Sequence, residues 1–402
     1  MPAEAPWSPF DPANISNPYM MYARLRKEAP VHHAQTGEFI VARYTDVKSI
    51  LKSSDFRSGN RLEWLSRSIE YFKNHDEDLG NIYRAVNSFI LFLNQPDHIA
   101  IRNFVSKTWD DRDVENMINE VVHGHLEHLS GSFDAVKDFA QPVPAIVICR
   151  IMGIPQEEFE YLRALGIKMV RSLDLYQSWK DLVELNETSK AFVKYFEELI
   201  TGKKNRPGNG LLSKLLTANE RDKVLREEQM ISIAIFLFIA GEETTANSIG
   251  TALYNFMQRP AIYQSIRKDP TVLQTTGIDE FFRFDGPVHL LGRIAKTDTA
   301  VAGINIPANS PITLVLASAN RDDEYFPNAN ELDLTRSPNQ HLGFGYGTHF
   351  CLGEWLGKLQ TRIAIEKFVS KFPEPRVETQ EISWVRNLAV RGMTSLIVNT
   401  KK

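Results

Sequence analysis

The segment from about residue 98 to residue 285 places the strongest constraint on the fold, because nearly all of it has the apolar periodicity of α-helix. Its breaks fall at 141–144, 153–155 and 203–210, where proline and glycine interrupt the pattern. The longest helical stretch covers residues 226–258 and would extend for about 50 Å. A helix of that length crosses a whole domain, so the sequence predicts a mainly α-helical protein.

The predicted strands are short and lie outside that helical segment. Residues 38–42, 301–307 and 311–317 have the apolar, β-branched composition of strands, and the C-terminus ends in strands. Residues 320–350 are rich in Asn, Asp, Pro and Gly and predict a long irregular segment, which in a compact domain is usually functional. No linker divides the chain, so we expect one domain over residues 1–402, mainly α with a minor β region.

Composition excludes several classes of protein. The 402 residues include two cysteines, too few for a disulfide scaffold, a four-cysteine zinc site or an all-cysteine iron–sulfur site. The 46 Lys and Arg against 50 Asp and Glu give a net charge of −4, so no nucleic-acid partner is expected. The start of the chain has no signal-peptide pattern, and the apolar run 231–240 is too short to span a bilayer. We therefore expect a cytoplasmic protein without a membrane anchor.

The two cysteines differ in their surroundings. Cys149 lies in an apolar helical stretch and is expected to be an inert buried thiol. Cys351 follows Gly345 and Gly347 and is expected at the first turn of a helix over about 351–372. There, backbone N–H groups and the helix dipole favour a thiolate, which is an electron-rich axial ligand for haem iron.

The segment around Cys351 resembles the haem-binding loop of the cytochrome P-450 family. The matching positions are Phe344, Gly347, His349, Cys351 and Gly353, within the loop 344–353. The resemblance implies haem b (heme, iron protoporphyrin IX) with the Cys351 thiolate as axial ligand of the iron. It further implies that Phe344 packs beside the sulfur, that His349 reaches a haem propionate and that Gly345 lies against the cofactor.

A second segment, Ala240-Gly241-Glu242-Glu243-Thr244-Thr245, lies in the middle of the long predicted helix and resembles the oxygen-activating motif of the same family. Cleaving dioxygen at a buried site consumes two protons, so an acid and an alcohol are needed there. The resemblance assigns Glu243 to relay protons from solvent and Thr244 to hydrogen-bond the dioxygen. Gly241 would leave room for dioxygen beside the helix, and Ala240 and Gly241 are both expected to contact the cofactor. The alternative is the polar face of an ordinary helix, which the preceding apolar run disfavours.

A third pattern is structural rather than chemical. Glu280 and Arg283 are three residues apart on one predicted helix face. The resemblance adds Arg336 as the third member of a charged cluster that would lock the segment 320–350 onto the helical core.

Further cofactor and substrate residues follow from the resemblance. His98 and Arg102 share a helix face and are expected to bind the haem propionates, with Arg293 as an additional partner. The predicted substrate pocket contains Val288, His289 and Leu291. Substrate-access or lid segments are expected at 57–95 and 165–210.

The resemblance covers essentially the whole chain and implies a single-domain cytochrome P-450 fold. The haem would be buried between the long central helix and the helix that follows the cysteine loop. The implied activity is a monooxygenase that inserts one oxygen atom from O2 into a C–H or C=C bond of a mainly apolar small molecule. A secondary metabolite, a terpenoid and a fatty acid all fit. Electrons would come from a separate ferredoxin or flavodoxin with its NAD(P)H reductase, and we expect a monomer.

Two alternatives remain open from the sequence. One is a peroxygenase or a coupling or dehydrating member of the family, and the other is a haem-binding sensor without turnover. The presence of both Glu243 and Thr244 disfavours each of them. An acidic electron carrier would dock where Lys358, Arg362 and Lys367 lie.

Overall fold

The computed structural model describes residues 7–58, 79–109, 113–174, 177–205, 208–378 and 382–401. These residues form two compact units. Unit 1 contains the described residues within 1–57, 122–141 and 244–402, and unit 2 contains those within 58–121 and 142–243. The description of the whole chain as one domain therefore stays a prediction. Of the predicted access segment 57–95, residues 59–78 lie outside the described residues.

Helices make up most of the described residues, as the sequence predicts. In chain order they are α1 Pro12–Ser16, α2 Tyr19–Glu28, α3 Tyr44–Lys52, α4 Gly80–Val86, α5 Asp97–Thr108, α6 Val114–Glu127, α7 Pro142–Met152, α8 Phe159–Met169, α9 Trp179–Asn205, α10 Leu211–Asp222, α11 Glu227–Met257, α12 Pro260–Lys268, α13 Ile278–Asp285, α14 Leu316–Ala319 and α15 Glu354–Lys371. Short 3-10 turns at Gln156–Glu158, Val170–Leu173 and Gly347–His349 and π turns at Val136–Ala140 and Leu273–Gly277 join them.

The described strands all belong to unit 1. They are β1 Val31–His33, β2 Phe39–Val41, β3 Phe56–Arg57, β4 Ser132–Asp134, β5 Leu290–Ala295, β6 Thr299–Val301, β7 Ile304–Ile306, β8 Pro311–Val315, β9 Arg376–Val377 and β10 Ile397–Asn399. They form a five-stranded sheet in the order β1-β2-β8-β5-β3, a three-stranded sheet β4-β10-β9 and the pair β6-β7. Only β2 and β8 are parallel among these pairings. The structure thus confirms a mainly α fold with a minor β region.

The core of unit 1 forms where α3 packs on the five-stranded sheet. Tyr44, Val47 and Leu51 recur at helical spacing along α3, and all three are buried. They join Phe39 of β2 and Leu314 of β8 in one apolar cluster. Burying each such side chain contributes about 1.5–3 kcal/mol, so this contact fixes α3 against the sheet.

Helix α11 has 31 residues and a length of about 47 Å, which confirms the long helix expected from the sequence. Its first half belongs to unit 2 and its second half to unit 1. Among the described residues it is the one helix long and apolar enough to cross a membrane, yet 78% of its most apolar window is buried inside the protein. Its composition is therefore that of a core helix.

The structure agrees with one local expectation and corrects another. The predicted break at 141–144 is a boundary between two helical segments: the π turn ends at Ala140 and α7 begins at Pro142, with both prolines in its first turn, where their missing N–H costs nothing. Strand β4 lies inside the stretch expected to be almost entirely helical. Its three residues become a strand because they pair with β10 near the C-terminus, a contact that local sequence does not reveal.

The irregular segment 320–350 is held by a buried charge cluster on α13. The Glu280 carboxylate accepts two hydrogen bonds from Arg283, at 2.7 and 2.8 Å, and two from Nε of Arg336, at 3.1 and 3.2 Å. The side chains of Glu280 and Arg283 are completely buried. Arg283 also donates to the backbone carbonyls of Asn320 and Ala329, both at 2.8 Å. The cluster brings together the three residues named from the sequence and ties the coil to α13.

We expect Glu280→Gln to destabilise the protein by about 3–5 kcal/mol, because it leaves two largely buried guanidinium groups without a counter-charge. The free energy of unfolding, measured by denaturant titration, tests this. The matched control is Glu331→Gln, since the Glu331 side chain is exposed and only its backbone carbonyl accepts from Arg283. Equal stability of the two variants would show that the cluster does not hold the coil.

Candidate functional site

The loop that carries Cys351 is closed by its own backbone. The N–H of Cys351 donates to the carbonyl of Phe344 at 3.0 Å, and the N–H of Gly345 donates to the carbonyl of Leu342 at 2.9 Å. Helix α15 begins only at Glu354. Cys351 therefore lies before the helix rather than in its first turn, which corrects the sequence expectation. The physical reason is that its N–H is bonded across the loop, and the loop holds the cysteine side chain exposed.

Gly347 fixes this loop against α3. Its φ is +73°, in the left-handed region, where other residues are strained. A Cβ at this position would lie 2.7 Å from the carbonyl oxygen of Leu51, at the C-terminal end of α3. Glycine is therefore required here both by the backbone angle and by the close approach.

An aromatic and helical wall lies next to the loop. The ring of Phe344 packs on Phe282 of α13, with 4.5 Å between centroids. A Cβ at Gly357 of α15 would lie 3.9 Å from the Phe344 ring and 4.0 Å from the hydroxyl of Thr245. The cysteine loop, α15 and the second half of α11 thus meet within unit 1. Gly353 is the last residue before α15.

Strand β5 presents a buried cation on the same side. Leu291 and Arg293 share one face of β5, and Gly345 of the loop would place a Cβ 4.0 Å from Leu291. Arg293 is 5% exposed, and its guanidinium donates to the carbonyl of Gly292 at 2.8 Å. No carboxylate among the described residues forms an ion pair with it, and burial lowers the pKa of Arg293 to about 10. Such a cation calls for an anionic ligand.

The residues of unit 1 fit a haem. An exposed cysteine on a closed loop can supply the thiolate, and the buried Arg293 can neutralise a propionate. His349 lies half-buried in the same loop. The other cysteine does not fit, because Cys149 is buried and its burial raises the pKa of the thiol to about 12. No cluster of three or more His, Cys, Asp or Glu able to hold a metal ion occurs among the described residues.

Unit 2 carries the other expected propionate ligands. His98 is buried and Arg102 half-buried on α5, one turn apart on the same face. Their expected role toward haem stays a prediction.

Every residue of the motif on α11 is buried or half-buried. Glu243 is buried, whereas Ala240, Gly241 and Thr244 are half-buried. A Cβ at Gly241 would lie 2.8 Å from Ile148 of α7. The glycine thus lets α11 and α7 pack closely, and the expectation that it leaves room for dioxygen stays a prediction.

The residues expected in the substrate pocket lie in different surroundings. Leu291 is half-buried beside the cysteine loop, and Val288 is half-buried and forms an isolated β-bridge with Val390. His289 is 2% exposed, and its Nδ1 lies 3.2 Å from the hydroxyl of Tyr22 on α2. Its contacts are thus within the core of unit 1, and its place in a substrate pocket stays a prediction.

His289 belongs to a buried polar network that sequence reasoning missed. The Tyr19 hydroxyl donates to Asp285 at 2.5 Å, and Arg391 lies 3.5 Å from the same carboxylate. Asn255 of α11 donates to the other oxygen of Asp285 at 2.7 Å. The members are far apart in sequence, so no local spacing signals the network. It ties α2 and the C-terminal segment to α11 and α13.

The basic residues expected to attract an electron carrier are partly neutralised within unit 1. Lys358 pairs with Asp279 at 2.6 Å and also with Glu354. Arg362 pairs with Glu366 at 3.2 Å. Lys367 is exposed on α15. The expected docking surface therefore has less free positive charge than the sequence suggests.

Known proteins match this chain over nearly its whole length. A sequence model of the family described as Cytochrome P450 matches residues 36–383. The biotin biosynthesis cytochrome P450 of Bacillus subtilis (strain 168) is 34% identical over 370 residues, covering 89% of this chain and 90% of that protein. The polyketide biosynthesis cytochrome P450 PksS of the same strain is 30% identical over 405 residues, covering 96% of each. A similar solved structure is that of P450BioI in complex with hexadec-9Z-enoic acid ligated acyl carrier protein. Its TM-score is 0.88 at 30% identity, and the match covers 97% of this chain and 100% of that chain.

The fold and the cysteine loop define a haem-thiolate protein. The chain belongs to the cytochrome P450 family. It is an enzyme of the P450 monooxygenase class, and its cofactor is haem bound through a cysteine thiolate.

The pKa of His289 predicts how stability depends on pH. Burial and the nearby Arg391 lower this pKa from 6.5 to about 3, so the folded protein keeps the ring neutral where the unfolded chain protonates it. The unfolded state then binds more protons, and the free energy of unfolding falls as pH falls from 6.5 toward 3. The fall is up to about 1.4 kcal/mol per pH unit.

We expect His289→Gln to lose this part of the pH dependence while keeping a hydrogen-bonding group for Tyr22. Denaturant titrations of both proteins between neutral pH and mild acid measure it. Parallel stability curves would contradict a neutral His289 in the folded state.

Proposed function

We propose that this enzyme inserts one oxygen atom from O2 into a C–H or C=C bond of an apolar acyl or polyketide chain. Electrons come from a separate ferredoxin or flavodoxin and its NAD(P)H reductase, and the enzyme works in the cytoplasm. The observation that carries the proposal is the closed loop presenting Cys351, together with the buried and uncompensated Arg293 on the strand whose Leu291 lies beside that loop. These two features would supply a thiolate for the haem iron and a cation for a haem propionate.

When bound, haem supplies the reductive activation of dioxygen that no amino-acid side chain provides. The chain's own residues hold the cofactor and move protons. Cys351 binds through its sulfur, and the Arg293 guanidinium neutralises a carboxylate. The Glu243 carboxyl carries a proton inward along α11, and the Thr244 hydroxyl, on the next residue, donates a hydrogen bond where that proton is consumed.

The substrate class is supported by the site and by the named relatives. Leu291 places an aliphatic side chain beside the cysteine loop, which suits an apolar chain. One relative is named for biotin biosynthesis and another for polyketide biosynthesis, and one structural neighbour holds a fatty acid on an acyl carrier protein. Titrating the ferric enzyme with free hexadecenoic acid and with the same acid on a carrier protein, and following the haem spectrum, separates a free substrate from a carrier-bound one. A terpenoid that shifts the spectrum when neither acyl form does would contradict the acyl assignment.

The alternatives are separated by turnover. A monooxygenase consumes NAD(P)H and forms product only with a ferredoxin and its reductase, whereas a peroxygenase forms product with hydrogen peroxide alone. The family match favours an enzyme over a sensor without turnover.

We expect Cys351→Ala to abolish the red-shifted absorption band of the reduced carbon monoxide adduct, because it removes the proposed thiolate ligand. Cys149→Ala is the matched control and keeps the band, since Cys149 is a buried thiol with a raised pKa. Survival of the band in Cys351→Ala would show that another residue ligates the iron.

We expect Thr244→Ala to release more hydrogen peroxide per NAD(P)H consumed. The variant lacks the hydroxyl that is proposed to donate a hydrogen bond where protons are consumed, so more of the reduced oxygen leaves as peroxide. The adjacent Thr245→Ala is the control, as the Thr245 hydroxyl faces Gly357 of α15. Peroxide and product are measured against NAD(P)H in both variants. Unchanged coupling in Thr244→Ala contradicts the proton-delivery role.

A further inference from the structure

The carboxyl of Glu242 has no role in the proposed function, although it lies next to Glu243 on α11. Glu242 is 1% exposed, and its Oε2 atom has no hydrogen-bond partner among the described residues. Burying such a group without a partner costs about 1–3 kcal/mol in proteins. Stability therefore does not explain why a carboxyl occupies this position.

Helix α8 makes room for this carboxyl. A Cβ at Gly166, in the interior of α8, would lie 2.3 Å from Oε2 of Glu242. Any residue larger than glycine would displace the carboxyl. Glycine inside a helix costs about 1 kcal/mol relative to alanine. Both the carboxyl and the glycine opposite it thus lower the free energy of unfolding. Together they place a carboxylic acid against α8 in unit 2.

The surroundings of Glu242 favour its protonated form. Burial and the negative charge of Glu243 raise the pKa of Glu242 well above its usual range, and Arg163 of α8 opposes this shift. The Cys149 thiol of α7 also lies near enough to interact, and its own pKa is raised, so it stays neutral. These surroundings therefore favour the protonated form of Glu242, beside the carboxyl to which the proposed function assigns proton transfer.

Arg163 connects this site with solvent. Arg163 and Gly166 are three residues apart and share one face of α8. The Arg163 guanidinium donates to Oε2 of Glu160 at 2.8 and 3.1 Å, and the two side chains are 22% and 60% exposed. This charged pair thus reaches water on the side of α8 that faces Glu242.

We propose that Glu242 is a second proton-relay residue, which takes a proton from water at the Arg163–Glu160 pair and passes it to Glu243. In the transfer an O–H bond breaks on the Glu242 carboxyl and forms on the Glu243 carboxylate, and Glu242 regains its proton from solvent. The relay rests on the proposed function, since it supplies the protons that Glu243 delivers. Glu242 is a positioning residue and touches neither substrate nor cofactor.

The test compares Glu242→Gln with Glu228→Gln, a matched change at an exposed position of the same helix. Glutamine keeps the size of the side chain and removes the transferable proton. We expect Glu242→Gln to lower the rate of product formation roughly 100-fold, the lower end of what a positioned acid contributes. We also expect a larger solvent isotope effect, with unchanged haem content and substrate-induced spectral shift. Glu228→Gln behaves as the wild type.

Infrared spectroscopy gives a readout that needs no turnover. The wild-type protein at neutral pH shows a protonated carboxyl band that is missing from Glu242→Gln and present in Glu228→Gln. A band of equal strength in all three proteins overturns the proposal, because Glu242 would then hold no proton to pass on.

A surface variant tests the relay without altering the buried site. Arg163→Gln removes the cation that opposes the upward shift of the Glu242 pKa, so the alkaline limb of the pH–rate profile moves to higher pH. An unmoved limb, or a Glu242→Gln rate equal to that of Glu228→Gln, overturns the relay while wild-type turnover stands. Absence of NAD(P)H-dependent product in the wild type instead overturns the proposed function, and the relay fails with it.

Discussion

The buried carboxylate of Glu280 is the interaction on which the geometry of unit 1 depends. It offsets the charges of Arg283 and Arg336, and Arg283 is then free to bind the backbone of the long coil. The side-chain oxygen of Asn320, whose carbonyl Arg283 holds, accepts the N–H of Leu342 at 2.7 Å. From Leu342 the chain turns directly into the cysteine loop. These hydrogen bonds hold in place a coil that has little secondary structure of its own.

Unit 1 contains two buried guanidinium groups that differ in how their charge is balanced. Arg283 is surrounded by acceptors within the protein, so its charge is satisfied before any ligand binds. Arg293 is buried almost as deeply, yet it has one backbone acceptor and no carboxylate among the described residues. Burial of an unpaired cation is costly, and an anionic cofactor removes that cost. The proposed contact of Arg293 with a haem propionate would therefore stabilise unit 1 through a residue that lowers its stability alone.

The sequence was informative wherever a pattern depends on neighbouring residues. Helix α11, for example, differs from its predicted ends by one residue at each end. The position of Cys351 was predicted less well, because the hydrogen bond to Phe344 that holds it before α15 depends on how the loop closes. Strand β4 and the network around Asp285 were not predicted at all. Both depend on segments far apart in the chain, for which a single sequence gives no spacing.

Successive residues of a helix are rotated by about 100°, so neighbouring residues of the motif on α11 point in different directions. Gly241 lies against Ile148 of α7, and Glu242 lies against Gly166 of α8. In unit 1, Thr245 faces Gly357 of α15. Each of these positions is taken by a neighbouring helix, whereas Ala240 and Thr244, four residues apart, share a half-buried face. In the proposed relay, the order Glu242-Glu243-Thr244 would carry a proton around α11 from the side that contacts α8 to the half-buried face that holds Thr244.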